Sequence, residues 1–162
     1  MSEEILIRRT RMGDAPVLVE FNRAMARETE DRELVHEVIS AGVETLIKNP
    51  NLGFYVVAEN NGDVVGSLMV TPEWSDWRNG TLWWIQSVYV RPDCRRQGIY
   101  RRLYQYVRSL AEKDPKVRGF RLYVERENTA AQKTYKALGM DETHYKLFEE
   151  LKDEVKSADK LT

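Results

Sequence analysis

Six arginines crowd the segment from Arg91 to Arg108 (Arg91, Arg95, Arg96, Arg101, Arg102 and Arg108) against Asp93 alone, a local balance of +5. Among them stands Gly98, directly before a run in which Ile99, Leu103, Val107 and Leu110 recur at helical spacing. The first turn of a helix has backbone N–H groups without intrahelical acceptors, and the aligned peptide dipoles add positive potential there. A glycine at that point removes a Cβ where a ligand could approach the backbone. These residue types in this order suit an anion, either a phosphate or a pyrophosphate. The segment is not a P-loop, because Gly-x4-Gly-Lys-Ser/Thr is missing, and a single glycine is no dinucleotide fingerprint. A solvated basic turn is the plain alternative for the same residues.

An opposite patch lies earlier in the chain. From Asp14 to Glu44 there are eight acids against Arg23, Arg27 and Arg32, a balance of −5. Two opposed patches suit a site that holds an anion on one side and a cation on the other. Two water-facing helix surfaces would show the same pattern.

The elements that must position these groups follow from periodicity and turn chemistry. Residues 4–9 are short and β-prone, a first strand. Asp14 can cap a helix with Pro16 in its first turn, in which Leu18, Phe21 and Met25 recur. A second helix is expected over 32–48, broken by Asn49-Pro50-Asn51. Strands over 53–59 and 64–71 flank Asn60-Asn61-Gly62-Asp63, a hairpin turn. Residues 72–80, rich in tryptophan and charge, are expected to form a loop that contains Glu73. A near-continuous apolar strand over 81–90 suggests burial on both faces. The helix after Gly98 closes at Lys113-Asp114-Pro115. A strand over 120–125, a short helix capped by Asn128 and a last strand over 143–148 complete the order β-α-α-β-β-β-α-β-α-β, an α/β domain with a mixed sheet.

Composition bounds the rest. A chain of 162 residues predicts a single domain, placed at 1–151, with a charged tail over 152–162 that has little to bury. The formal charge of −1 argues against wholesale nucleic-acid binding. Cys94 alone gives no internal disulfide and no cysteine zinc site, and His36 and His144 show no ligand spacing, so no metal is expected. Neither a membrane-length apolar run nor a signal peptide is apparent, and a cytoplasmic location is expected.

Two blocks of the sequence resemble the GCN5-related N-acetyltransferase (GNAT) superfamily. Arg95-Arg96-Gln97-Gly98-Ile99-Tyr100, preceded by Val88-Tyr89-Val90-Arg91-Pro92, is similar to that family's acetyl-CoA motif, Arg/Gln-x-x-Gly-x-Gly/Ala. Asn128, Ala131, Tyr135, Gly139 and Met140 match a second block in the expected order. Tyr100 departs from the motif, which usually ends in Gly or Ala.

The resemblance implies a GNAT-like mixed, mostly antiparallel twisted sheet, splayed between strands four and five. It also implies acetyl-CoA as cofactor. The pyrophosphate would lie on the amides of Gln97, Gly98, Tyr100 and Arg101, beside Arg95 and Arg96. The pantetheine arm would extend strand four near Val88 and Val90 and meet Asn128. The alternative role for Asn128 is a helix cap.

Tyr135 is implied as the acid that protonates the departing thiolate, its alternative role being a core aromatic. The strand-four Glu that serves some members as a base is replaced by Trp84. Gln86 could order a water, and Glu73 is a weaker substitute as base. The acceptor region would include Glu28, Glu30, Trp74, Trp84 and Gln86, acids and aromatics that favour a primary amine, whether a small cation or a peptide Lys or α-amine. Direct attack in a ternary complex is the expected mechanism, and a homodimer fits the family's habit. A non-catalytic acyl-CoA-binding sensor remains the alternative.

Overall fold

The computed structural model describes residues 4–160. The chain divides into two compact units, one through Leu122 and one from Tyr123. In the first, β1 (Ile5–Arg9), α1 (Ala15–Glu30), α2 (His36–Lys48), β2 (Phe54–Asn60), β3 (Asp63–Ser75), β4 (Gly80–Val90), α3 (Ile99–Glu112) and β5 (Val117–Arg121) follow one another. The five strands form one sheet in the order β1-β2-β3-β4-β5. Pairing is antiparallel except between β4 and β5, which run parallel. The mixed, mostly antiparallel sheet expected from the sequence is therefore present.

The two faces of the sheet bury different helices. Ala15, Leu18 and Val19 of α1 and Val43 and Leu46 of α2 pack with Tyr55 and Val57 of β2. Strand side chains alternate between faces, so Val56 and Ala58 point the other way. There Gly66, the partner of Ala58, lets α3 approach: a Cβ on Gly66 would sit 3.2 Å from the Ile99 side chain. Ile99, Leu103 and Val107 recur on the buried side of α3, as their spacing predicts.

The region expected as a loop over 72–80 is mostly strand. β3 continues through Ser75, with Pro72 opposite Trp83 and Ser75 opposite Gly80, so only 76–79 turn. Pro72 is tolerated within this arm, where the pairing has left the centre of the sheet. β4 is buried at Gly80, Leu82, Ile85 and Tyr89 and half-buried elsewhere; Leu82 and Ile85 lie on opposite faces, so both faces of this strand are covered in part.

The second unit holds α4 (Thr129–Ala137) and α5 (Asp153–Lys160). Residues 143–148, expected as a strand, form none, and Tyr145, Leu147 and Phe148 are exposed. Their alternation fits β structure, but a strand needs a ladder partner, and the described residues of this unit contain no other strand. The charged tail is helical where described, with Asp153 and Glu154 in the first turn of α5, favourable to the helix dipole. No helix of the described residues is long and apolar enough to cross a membrane.

Asp14 precedes α1 as expected, but its side chain does not cap the helix. Arg8 of β1 donates to both Asp14 carboxylate oxygens, at 2.8 and 2.9 Å, and to Glu59 Oε1 of β2 at 2.9 and 2.6 Å. This guanidinium fastens the start of α1 to the sheet. Its hydrogen bonds hold the Asp14 carboxyl below its ordinary range, against the opposing effect of burial. A carboxyl with a depressed folded pKa stabilises the fold above its unfolded pKa and loses that contribution as pH falls through the folded one. Asp14→Asn should therefore lower stability at pH 7 by about 2 kcal/mol, the scale of a charged hydrogen bond. The gap from the unmodified protein should narrow as pH falls below about 4. Denaturant titrations at pH 7 and in acid check this; a gap that stays constant across that range contradicts it.

Candidate active site

The segment leaving β4 is held at its start and open at its end. Arg91 N–H donates to Val65 O at 2.8 Å, and the Arg91 side chain pairs with Asp93 at 2.7 Å. Pro92–Cys94 make one short helical turn, with Cys94 buried. The chain then passes through Arg96 at φ 64° and Gly98 at φ 78°, both left-handed. Gly98 is the N-cap of α3 and supplies no side-chain cap. The first intrahelical bond of α3 runs from Arg102 N–H to Gly98 O, at 3.1 Å. The amides of Gly98, Ile99, Tyr100 and Arg101 therefore have no intrahelical acceptor.

A Cβ built on Gly98 meets no atom within 4 Å, so the backbone there faces open space. Together with the helix dipole, this is a cradle for an anion and fits the phosphates of a nucleotide. The Tyr100 ring lies along Tyr104 of the same helix, with centroids 6.3 Å apart. A bulky residue is thus tolerated at this motif position because its ring lies along the helix, leaving the amide of the first turn in place.

Most of the arginine cluster is already engaged. Arg95 Nε donates to Val90 O at 2.8 Å and Nη2 to the Glu28 carboxylate at 2.7 Å. Arg102 donates to Ile5 O at 2.7 Å, and Arg108 lies over the Tyr104 ring. Arg96 and Arg101 form no ion pair among the described residues and remain near the cradle as exposed charge.

Beside the cradle, β4 has an unpaired edge. β5 pairs with β4 only from Thr81 to Trp84, so Ile85–Val90 have no β5 partner. The ladder to β3 shifts register between Tyr89 and Gln86, three residues on β4 spanning two on β3, and Ser87 lies at φ 50°. This is a bulge, and the left-handed serine costs about 1–2 kcal/mol. Because Arg91 N–H points to β3, alternation turns the main chain of Val90, and of Val88 beyond Tyr89, toward the unpaired edge. Val90 O already accepts from Arg95 Nε, so the groups left for a strand-like ligand are the Val90 N–H and the main chain of Val88.

The α1/α2 face of β3, β4 and β5 carries a polar row. Arg121 Nη1 donates to Glu73 at 2.9 and 3.0 Å, and Trp84 Nε1 donates to Glu73 Oε2 at 2.7 Å. Gln86 Nε2 donates to Thr71 Oγ1 at 2.7 Å. Glu73 is thus an ion-paired strand residue, not the free loop acid expected from the sequence.

The residues assigned to the acceptor do not all converge. Trp84 and Gln86 share a face, but Trp74, opposite Thr81, points to the other one. Trp83 packs with Phe54 and Phe120 on that opposite face, and Trp77 is 91% exposed in the turn. Glu28 is committed to Arg95. Glu30, two residues on, lies on a different side of α1 and is exposed.

In the second unit, Asn128 Oδ1 accepts from Ala131 N–H at 3.2 Å, so the cap reading of this residue holds. Its Nδ2 can still donate. Tyr135 lies two helical turns further along α4, half-buried, and burial raises its phenol above the ordinary value.

Sequence reading missed three features of this site. Nothing in the residue types marks Ser87 as a bulge. Arg121 lay within a recognised strand, and only its alternation with the residues around it could have placed it beside Glu73. The Glu28–Arg95 bond joins residues 67 apart, beyond the reach of any local pattern.

Comparison with known proteins bears on the fold and the family. A possible acetyltransferase from Clostridium difficile 630 is 44% identical and superimposes with a TM-score of 0.85, over 92% of this chain and 98% of that one. An aminoglycoside N-acetyltransferase in complex with CoA is 18% identical with a TM-score of 0.75, over 93% and 97% of the two chains. A predicted acetyltransferase from Clostridium acetobutylicum, solved with acetyl-CoA, gives 18% and 0.75, over 91% and 96%. At 18% identity the likeness is one of fold. No curated protein matches the chain. The acetyltransferase (GNAT) family model covers residues 16–140, most of the first unit and the start of the second through α4. With a cradle and an unpaired strand edge where the family motif lies, the chain belongs to the GNAT family of acetyltransferases.

Proposed function

We propose that the protein transfers the acetyl group of acetyl-CoA to a primary amine by direct attack in a ternary complex. The observation that carries this reading is the cradle at Gly98, continuous along the chain with the unpaired edge of β4. The first suits the pyrophosphate, on the amides of Gly98, Tyr100 and Arg101 with Gln97 beside them and Arg96 and Arg101 adding charge. The second suits the amide groups of pantetheine, paired with the main chain of Val88 and the N–H of Val90, whose carbonyl Arg95 holds. Asn128 keeps an Nδ2 donor for a pantetheine carbonyl while its Oδ1 caps α4.

In the reaction the amine nitrogen attacks the thioester carbonyl carbon, a C–N bond forms and the C–S bond breaks. The departing thiolate takes the phenolic proton of Tyr135. That assignment rests on the second motif, and the raised phenol pKa keeps the proton in place at neutral pH, as an acid requires. The proton released from the attacking nitrogen goes to water, for which Gln86 Oε1 is an acceptor. Glu73 is a poor base because Arg121 and Trp84 already occupy its carboxylate.

A panel of amines, amino acids, peptides and aminoglycosides incubated with acetyl-CoA tests the function, with thiol release as the signal. Turnover of at least one primary amine is expected. Tight CoA binding without transfer to any of them would favour the acyl-CoA sensor instead. Tyr135→Phe should lower kcat by roughly 10- to 10⁴-fold with little change in acetyl-CoA affinity. Unchanged turnover in the folded variant removes Tyr135 from the chemistry. Gly98→Ala meets no protein atom but adopts a left-handed φ, so it should cost about 1–2 kcal/mol of stability. Its methyl group would stand where the phosphates approach, so calorimetry should show acetyl-CoA binding weakened by roughly tenfold or more.

A further inference from the structure

Between Cys94 and Ile99 the turn that presents the cradle amides has a single side chain fastened to the sheet among the described residues, that of Arg95. Arg96 and Gly98 are left-handed, so the direction in which the turn leaves Arg95 sets where its amides point. Arg95 is itself constrained three ways. Nε is on Val90 O, Nη2 is on Glu28, and the guanidinium lies over the Tyr89 ring at 5.5 Å from the centroid. A planar guanidinium can meet all three only in one orientation.

Glu28 is the group that selects that orientation. It lies two helical turns after Phe21, whose ring meets Tyr89 at 4.9 Å, so the two α1 residues address the same end of β4. The Tyr89 hydroxyl stands 3.4 Å from Glu28 Oε1, while Oε2 takes the arginine.

We propose that Glu28 is a positioning residue for the anion-binding turn: by holding Arg95 on the Val90 carbonyl, it fixes the backbone that receives the cofactor phosphates. It acts through Arg95 and does not bind the acceptor amine. The inference rests on the reading of this turn as the acetyl-CoA site. Two other roles for the same residues predict different outcomes. If Arg95 were a direct phosphate ligand restrained by Glu28, removing the acid would tighten cofactor binding. If Glu28 anchored the acceptor, removing it would raise the acceptor KM and leave the cofactor unaffected.

Calorimetric titration of acetyl-CoA into the full chain separates these, alongside the acceptor KM for whichever amine is turned over. Glu28→Gln should weaken acetyl-CoA binding by roughly 3- to 30-fold, the scale for an outer group that orients a ligand-binding one. The acceptor KM should stay unchanged. The pair is about 40% exposed on both sides, and exposed ion pairs add little to global stability, so the melting temperature should hardly move. Arg95→Lys keeps the charge but not the two-pronged reach, and should weaken binding to a similar degree. Unchanged or tighter acetyl-CoA binding in Glu28→Gln overturns the inference. So does full affinity in Arg95→Lys, or an effect confined to the acceptor KM. An unmodified protein that fails to bind acetyl-CoA overturns the functional reading itself, a result distinct from any of these.

Discussion

β4 has two edges and unequal partners for them. Along β3 it is bonded from Gly80 to Val90. Along β5 it is bonded only as far as Trp84. This inequality is the constraint on which the rest of the site depends. Backbone N–H and C=O groups must find partners, and an unpaired stretch at the centre of a domain invites a ligand that supplies them. The bulge at Ser87 belongs to the same arrangement. It inserts one residue into β4, increases the local twist and re-aims the main chain beside the gap. The strand then ends at Val90, and the turn that follows delivers the start of α3 next to the unpaired edge. A turn of helix-start amides and an unpaired strand edge are thus consecutive in the chain because one strand outruns its neighbour.

The two charge patches seen in the sequence look different once partners are assigned. Glu28 of the acidic segment and Arg95 of the basic one neutralise each other, and Asp14 is held by Arg8 at the sheet. Arg91 is bonded to Asp93, and Arg102 to a β1 carbonyl. Of the six arginines, Arg96 and Arg101 stay exposed beside the amides without an ion pair among the described residues. What this turn offers an anion is therefore oriented backbone N–H groups more than summed charge. Such groups cost no side-chain entropy to order when a ligand arrives, whereas long arginines do.

The fold was legible where a single period or a single turn decided it. The spacing from Ile99 to Val107 put α3 in place, and the turn between β2 and β3 set that hairpin. The left-handed turn into α3 was legible because a glycine before an amphipathic run is a local pattern. Features that depend on tertiary pairing were not. The β3–β4 arm looked like a loop because Pro72 and the charged residues around it are poor strand formers, yet its ladder to Gly80–Trp83 overrides propensity. The strand expected at 143–148 failed for the converse reason: its residues favour β structure, but the described residues of its unit offer no strand to pair with. Glu73 and Glu28 looked like free acids because their partners, Arg121 and Arg95, are distant in sequence.

That commitment of carboxylates bears on the chemistry of the acceptor. An amine attacks only as the free base, yet a primary amine in water near neutral pH is mostly an ammonium. An unpaired carboxylate beside the nitrogen would stabilise the ammonium and raise its pKa, holding back the form that reacts. Glu28 is bonded to Arg95, and Glu73 to Arg121 and Trp84. For an amine lying on the α1/α2 face of β4, these pairs offer no uncompensated negative charge close to the nitrogen, while Gln86 and Thr71 offer neutral hydrogen-bonding groups. Charge recognition of a cationic acceptor is then more favourable at its remote end, where it adds binding energy without deepening the protonation of the nucleophile.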